Sequence, residues 1–75
     1  MFVIVTYDIS DDKRLNKTRK ILKKYLNWVQ LSTFEGEITK GKLAKCLSEV
    51  KQVLNQDEDS LYIYEVENPA NITKK

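Results

Sequence analysis

The sequence predicts an α+β fold in which a four-stranded antiparallel sheet carries two helices on one of its faces. Three observations predict it: strand-forming runs stand near both ends of the chain, two segments between them repeat apolar residues at helical spacing, and a short strand pair separates those two segments.

Phe2-Val3-Ile4-Val5-Thr6-Tyr7 is a nearly unbroken run of β-branched and aromatic residues, which predicts a central strand buried on both faces and ending at Asp8. Ser10 then supplies an N-cap hydroxyl, and Asp11 and Asp12 complement the positive end of a helix dipole, so a helix is expected from Asp11 to Tyr25. Leu15, Thr18, Leu22 and Tyr25 recur at three- and four-residue steps, with Ile21 and Leu26 widening the stripe that should pack on a sheet. Trp28 to Thr33 and Phe34 to Ile38 read as a hairpin, with Gly36 the place for a bulge or a close backbone approach. From an N-cap at Thr39, Leu43, Cys46, Leu47, Val50, Val53 and Leu54 define a second amphipathic helix ending near Asn55. Gln56 to Asp59 is a polar loop, and Ser60 to Val66 returns to strand composition. The resulting order, βαββαβ, is the split βαβ or ferredoxin-like arrangement.

A sheet carrying Trp28, Phe34, Tyr62 and Tyr64 holds more apolar surface than two helices hide, so part of its second face is expected to meet another copy of the chain. Size points the same way. At 75 residues there is room for one domain, and one core of this size seldom supplies more than about 3 to 5 kcal/mol without a disulfide, a metal or oligomerisation. A lone cysteine, Cys46, closes no internal disulfide, and the absence of histidine removes the usual zinc ligands. The domain is read over 1–67, followed by a C-terminal tail over 68–75 in which Pro69 interrupts any strand ladder.

The charged fraction of 32% beside 41% hydrophobic residues is that of a folded soluble domain. The run Phe2 to Val5 is far shorter than a signal-peptide core of about 7 to 15 residues, so a cytoplasmic address is expected. The net charge of +2 conceals a cluster: Lys13, Arg14, Lys17, Arg19, Lys20, Lys23 and Lys24 all belong to the first helix. Lys13, Lys17, Lys20 and Lys24 recur at helical period and should form one solvent-facing row, a surface suited to tracking a phosphate backbone. Such binding carries no base information, which leaves duplex DNA and single-stranded RNA both open.

Without histidine the chain has no Ser-His-Asp or Cys-His pair, and Gly36 and Gly41 do not match a phosphate-binding loop. Cys46, on an apolar stripe, reads as a core residue. Asp8 stands where a hydrophobic strand opens towards a helix, either as a cap or as a functional carboxylate. One carboxylate is no complete nuclease site; two copies across a two-fold axis would give a magnesium ion two ligands, with waters and phosphate oxygens completing the shell.

Three segments resemble the small CRISPR-associated adaptation protein family, also described as a CRISPR-associated endoribonuclease: Val5-Thr6-Tyr7-Asp8-Ile9-Ser10-Asp11-Asp12-Lys13-Arg14, Val29-Gln30-Leu31-Ser32-Thr33-Phe34-Glu35-Gly36-Glu37 and Asp59-Ser60-Leu61-Tyr62-Ile63-Tyr64. The resemblance implies a ferredoxin-like homodimer that binds duplex DNA and bridges dimers of the CRISPR integrase during capture of new spacers, with metal-dependent cleavage of RNA or DNA in some members. It carries the magnesium-ligand role onto Asp8, with Tyr7 beside it as a catalytic candidate. Arg14 and Lys17 fall on the phosphate path, and Ser32 and Phe34 match the motif around the dimer cleft. Two departures stand out: Trp28 replaces an arginine of many members, and relatives continue past the fourth strand with one that pairs onto the partner subunit. A non-catalytic DNA-binding scaffold and a ribonuclease toxin resembling the virulence-associated D family are the competing readings.

Overall fold

Side chains alternate along an extended strand, so a strand with a core on one side only must bury every second residue. In the computed structural model, which describes residues 1–67, β1 (Phe2–Asp8) does so: Val3, Val5 and Tyr7 are buried while Phe2, Ile4 and Thr6 are half-buried. The expectation of burial on both faces is corrected accordingly. The chain continues through α1 (Asp12–Tyr25), β2 (Asn27–Gln30), β3 (Thr33–Glu37), α2 (Lys40–Lys51) and β4 (Ser60–Val66). These strands form one sheet in the order β2-β3-β1-β4, every neighbouring pair antiparallel, which is the ferredoxin-like fold.

Val3, Val5, Tyr7 and Phe34 pack with Leu22 and Leu26 after α1 has crossed them and with Cys46 and Val50 of α2, so both helices cover one face. Burial pushes the Cys46 thiol up to about 11, as expected of a core cysteine. Among the described residues, Thr18 Oγ1 is buried in α1 with no hydrogen-bond partner.

Several boundaries differ from the sequence reading for local reasons. The N-cap of α1 is Asp11, whose carboxylate accepts from the Arg14 backbone N–H at 3.0 Å. Ser10 is turned the other way: its N–H donates to Asp59 Oδ1 at 3.1 Å, and its hydroxyl faces Glu58 Oε1 and Asp59 Oδ1, both at 3.4 Å. Thr39 caps α2 as expected, but the helix closes at Lys51, where the N–H groups of Val53 and Leu54 both return to the Val50 carbonyl. The irregularity of the hairpin lies in β2, between Trp28 and Gln30, rather than at Gly36. Gly36 is the close approach instead: a Cβ there would stand 3.4 Å from Leu26 Cδ2.

The placement of aromatics is also corrected. Phe34 is fully buried on the helix side, its ring 6.1 Å from that of Tyr7, so its side chain lines no cleft on the other face. Trp28 is its cross-strand partner and shares that side, beyond the flank of α1. The open face is built instead from Phe2, Ile4 and Thr6, paired in register with Val66, Tyr64 and Tyr62, together with Thr33, Glu35 and Glu37. The tail read over 68–75 lies outside the described residues.

Candidate nucleic-acid interface

Because α1 presses Thr18 and Leu22 into the core, positions about half a turn away must face water. Lys13, Lys17 and Lys20 are exposed there, and among the described residues none of them enters an ion pair. Lys24, the fourth member of the row, differs. Its ammonium lies 2.8 Å from Glu49 of α2, whose other oxygen accepts from the Tyr25 hydroxyl. The Lys24 hydrogen bond holds the Glu49 carboxyl below its ordinary range, and the bond to Glu49 pushes the Tyr25 hydroxyl up to about 12. Part of the charge of Lys24 is thereby answered within the fold.

Arg14 is engaged still further. Its Nε donates to Asp59 Oδ2 at 2.7 Å and its Nη2 to Asp59 Oδ1 and Glu58 Oε1, both at 3.2 Å. This forked geometry ties the first turn of α1 to the residue that precedes β4. Asp59 also accepts from the backbone N–H groups of Ser10 and Asn55. With Arg14 as the leading cause, its carboxyl is held far below the ordinary carboxylate range. Arg14 thus clamps the first turn of α1 to the segment before β4, which leaves Lys13, Lys17 and Lys20 as the exposed charges of the row.

Asp8 and Tyr7, adjacent in sequence, are separated by the pleat. Tyr7 is buried; its hydroxyl donates to the Leu31 carbonyl at 3.1 Å and accepts from Arg19 Nε at 3.2 Å, an arrangement that fixes the β2–β3 turn. Asp8 is exposed at the end of β1, opposite Ser60, on the same side as Thr6 and Tyr62. Among the described residues its carboxylate makes no hydrogen bond or ion pair, and no group of three acidic, cysteine or histidine side chains gathers around it. A single free carboxylate fits one position of a magnesium shell, which takes several waters and one or two carboxylates. Ser32 is exposed in the turn, where its carbonyl accepts from the Tyr7 N–H at 3.2 Å, so Ser32 and Phe34 do not share a cleft within one chain.

Sequence reasoning missed Asp59, Glu58 and Arg19. The first two fall in what reads as a polar loop, since a partner 45 residues away leaves no periodic trace. Arg19 fell between the lysines of the basic row, and only the fold turns it towards Tyr7.

The fold and the lysine row define a small ferredoxin-like module that presents one cationic helix face. The family model described as CRISPR associated protein Cas2 matches residues 1–71. A CRISPR-associated endoribonuclease Cas2 of Thermodesulfovibrio yellowstonii is 56% identical over 73 residues, 97% of this chain and 82% of that protein. The corresponding protein of Methanocaldococcus jannaschii is 41% identical over 75 residues, all of this chain and 63% of its own length. Among solved structures, Streptococcus pyogenes Cas2 superimposes with a TM-score of 0.87 at 26% identity, covering 100% of this chain and 96% of that one. A hypothetical protein from Thermus thermophilus gives a TM-score of 0.85 at 36% identity, over 89% and 82% of the two chains. The chain belongs to the CRISPR-associated Cas2 family, the small nucleic-acid-binding adaptation protein that acts with the integrase. No described helix is long and apolar enough to cross a membrane.

Proposed function

We propose that this chain holds duplex DNA along the exposed face of α1 while bridging dimers of the CRISPR integrase during spacer capture. The supporting observation is the row Lys13, Lys17 and Lys20, exposed on one helix face without ion pairs among the described residues, whereas Arg14 and Lys24 are engaged inside the fold. Charge reversal of the three lysines should lower duplex affinity by tenfold or more, because a lysine that no longer neutralises a phosphate also forfeits counterion release. Equal affinity in wild type and variant would remove the row from the interface.

The same reading takes the working unit to be a homodimer joined through the open sheet face. Tyr62 and Tyr64, 56% and 55% exposed, lie there beside half-buried Phe2, Ile4 and Val66, an apolar surface that the helices leave uncovered. Tyr64→Lys should turn a dimer into a monomer in sedimentation equilibrium with the circular dichroism spectrum retained; a variant that still sediments as a dimer would place the interface elsewhere.

A second reading, magnesium-dependent phosphodiester cleavage of RNA or DNA, is favoured by Asp8, an exposed carboxylate at the rim of that face. Paired Asp8 residues of two copies would hold the ion, which when bound supplies an activated water and stabilises charge developing on phosphate. Tyr7, buried and committed to Leu31 and Arg19, positions the strand end rather than touching a substrate. Asp8→Asn should abolish cleavage in magnesium and leave duplex binding in place, whereas undiminished cleavage would mean another site. Family membership favours these readings over the ribonuclease toxin.

A further inference from the structure

A structural tryptophan is ordinarily buried over most of its surface. Trp28 is 53% exposed, on the edge strand β2, and is nevertheless fixed in place. Its Nε1 donates to the Leu31 carbonyl at 3.3 Å, and the same oxygen accepts from the Tyr7 hydroxyl at 3.1 Å and from Arg19 Nη2 at 3.3 Å. A core strand, α1 and the hairpin thus converge on one carbonyl, and the indole is oriented by its nitrogen edge while its apolar body stays open.

Two cations flank that body. Arg19 Cζ lies 5.8 Å and Lys23 Nζ 5.7 Å from the ring centroid, one helical turn apart on α1. Neither enters an ion pair among the described residues, so both charges remain available to an anion. Lys20 lies between them in sequence and belongs to the exposed lysine row. An oriented aromatic surface beside unpaired cations, continuous with a phosphate-tracking face, is the combination with which proteins hold unpaired bases irrespective of sequence.

We propose that Trp28, flanked by Arg19 and Lys23, is a stacking site for an unpaired nucleobase at the end of a strand whose phosphates run along α1. The proposal rests on the nucleic-acid reading above and deepens it by placing an unpaired base against the indole. A protein segment is the competing occupant, and the free cations argue for the anionic strand.

Trp28 is the only tryptophan of the chain, so its fluorescence reports this site alone. The full chain is titrated with two duplexes of identical paired length, one ending in a short extension of ordinary nucleotides and the other in an extension of abasic nucleotides with the same phosphate count. The base-bearing extension should bind about tenfold tighter and quench Trp28, within the roughly 5- to 150-fold that one stacked base contributes on alanine substitution. In Trp28→Ala the ratio of the two affinities should fall to about one, and Trp28→Phe should keep most of it. Equal affinities and equal quenching for the two ligands in the wild type would overturn the stacking site while leaving duplex binding standing. Failure to bind either duplex would overturn the nucleic-acid reading itself, and this proposal with it.

Discussion

On the helix side of the sheet Val3, Val5, Tyr7 and Phe34 are sealed beneath α1 and α2, whereas the same strands turn Phe2, Ile4, Tyr62 and Tyr64 towards an open face that no element among the described residues covers. The first set is apolar and interlocked. The second mixes aromatic rings with Thr6, Thr33, Glu35 and the exposed carboxylate of Asp8. A small domain of this kind draws its stability from the sealed face, so mutations on the two faces should report on different properties.

The largest contrast is between Phe34 and Tyr62. Phe34→Ala empties a fully buried ring site and should cost about 3 to 5 kcal/mol, comparable to the whole stability one core of this size supplies. Tyr62→Ala, at an exposed position, should stay within about 0.5 kcal/mol for the isolated chain. Urea unfolding of dilute protein measures both, and similar costs would erase the distinction between the faces.

The clamp at the edge gives a pH-dependent effect. The folded-state pKa of Asp59 is driven below its unfolded value by Arg14, so its contribution is complete above the unfolded carboxylate pKa of about 4 and is lost as pH falls through the lower folded value. The urea midpoint of the wild type should therefore decline on acidification below about pH 4, and that decline should be shallower in Asp59→Asn, which starts from a lower midpoint at neutral pH. Parallel profiles would show that the clamp does not discriminate folded from unfolded chain.

A smaller effect sharpens the description of the sealed face. Thr18 buries a hydroxyl with no partner among the described residues, so Thr18→Val should raise stability by about 1 kcal/mol. A drop in stability of that size would mean that the hydroxyl is satisfied in solution.

The periodic features of the fold could be read from the sequence because alternation and helical spacing are local. Ser60 to Val66, the Thr39 cap and the stripe through Leu22 are cases of this. What failed depended on distant residues meeting in the fold. Ser10 looked like the cap until its hydroxyl is seen to face Glu58 and Asp59, and Phe34 was counted among the surplus apolar residues of the sheet because composition does not say which side of a strand faces the helices. The lysine row was legible for the same local reason as the stripe opposite it. The clamp at Arg14 and the convergence of Tyr7, Arg19 and Trp28 on the Leu31 carbonyl were not, since each joins separate elements.

The measurement that bears most directly on the cationic face of α1 is the salt dependence of duplex affinity. Lys13→Gln, Lys17→Gln and Lys20→Gln combined should make the plot of log affinity against log salt less steep by roughly 2 to 3, at about 0.9 for each phosphate no longer neutralised. Parallel plots for wild type and variant would contradict the assignment of the phosphate path to this helix.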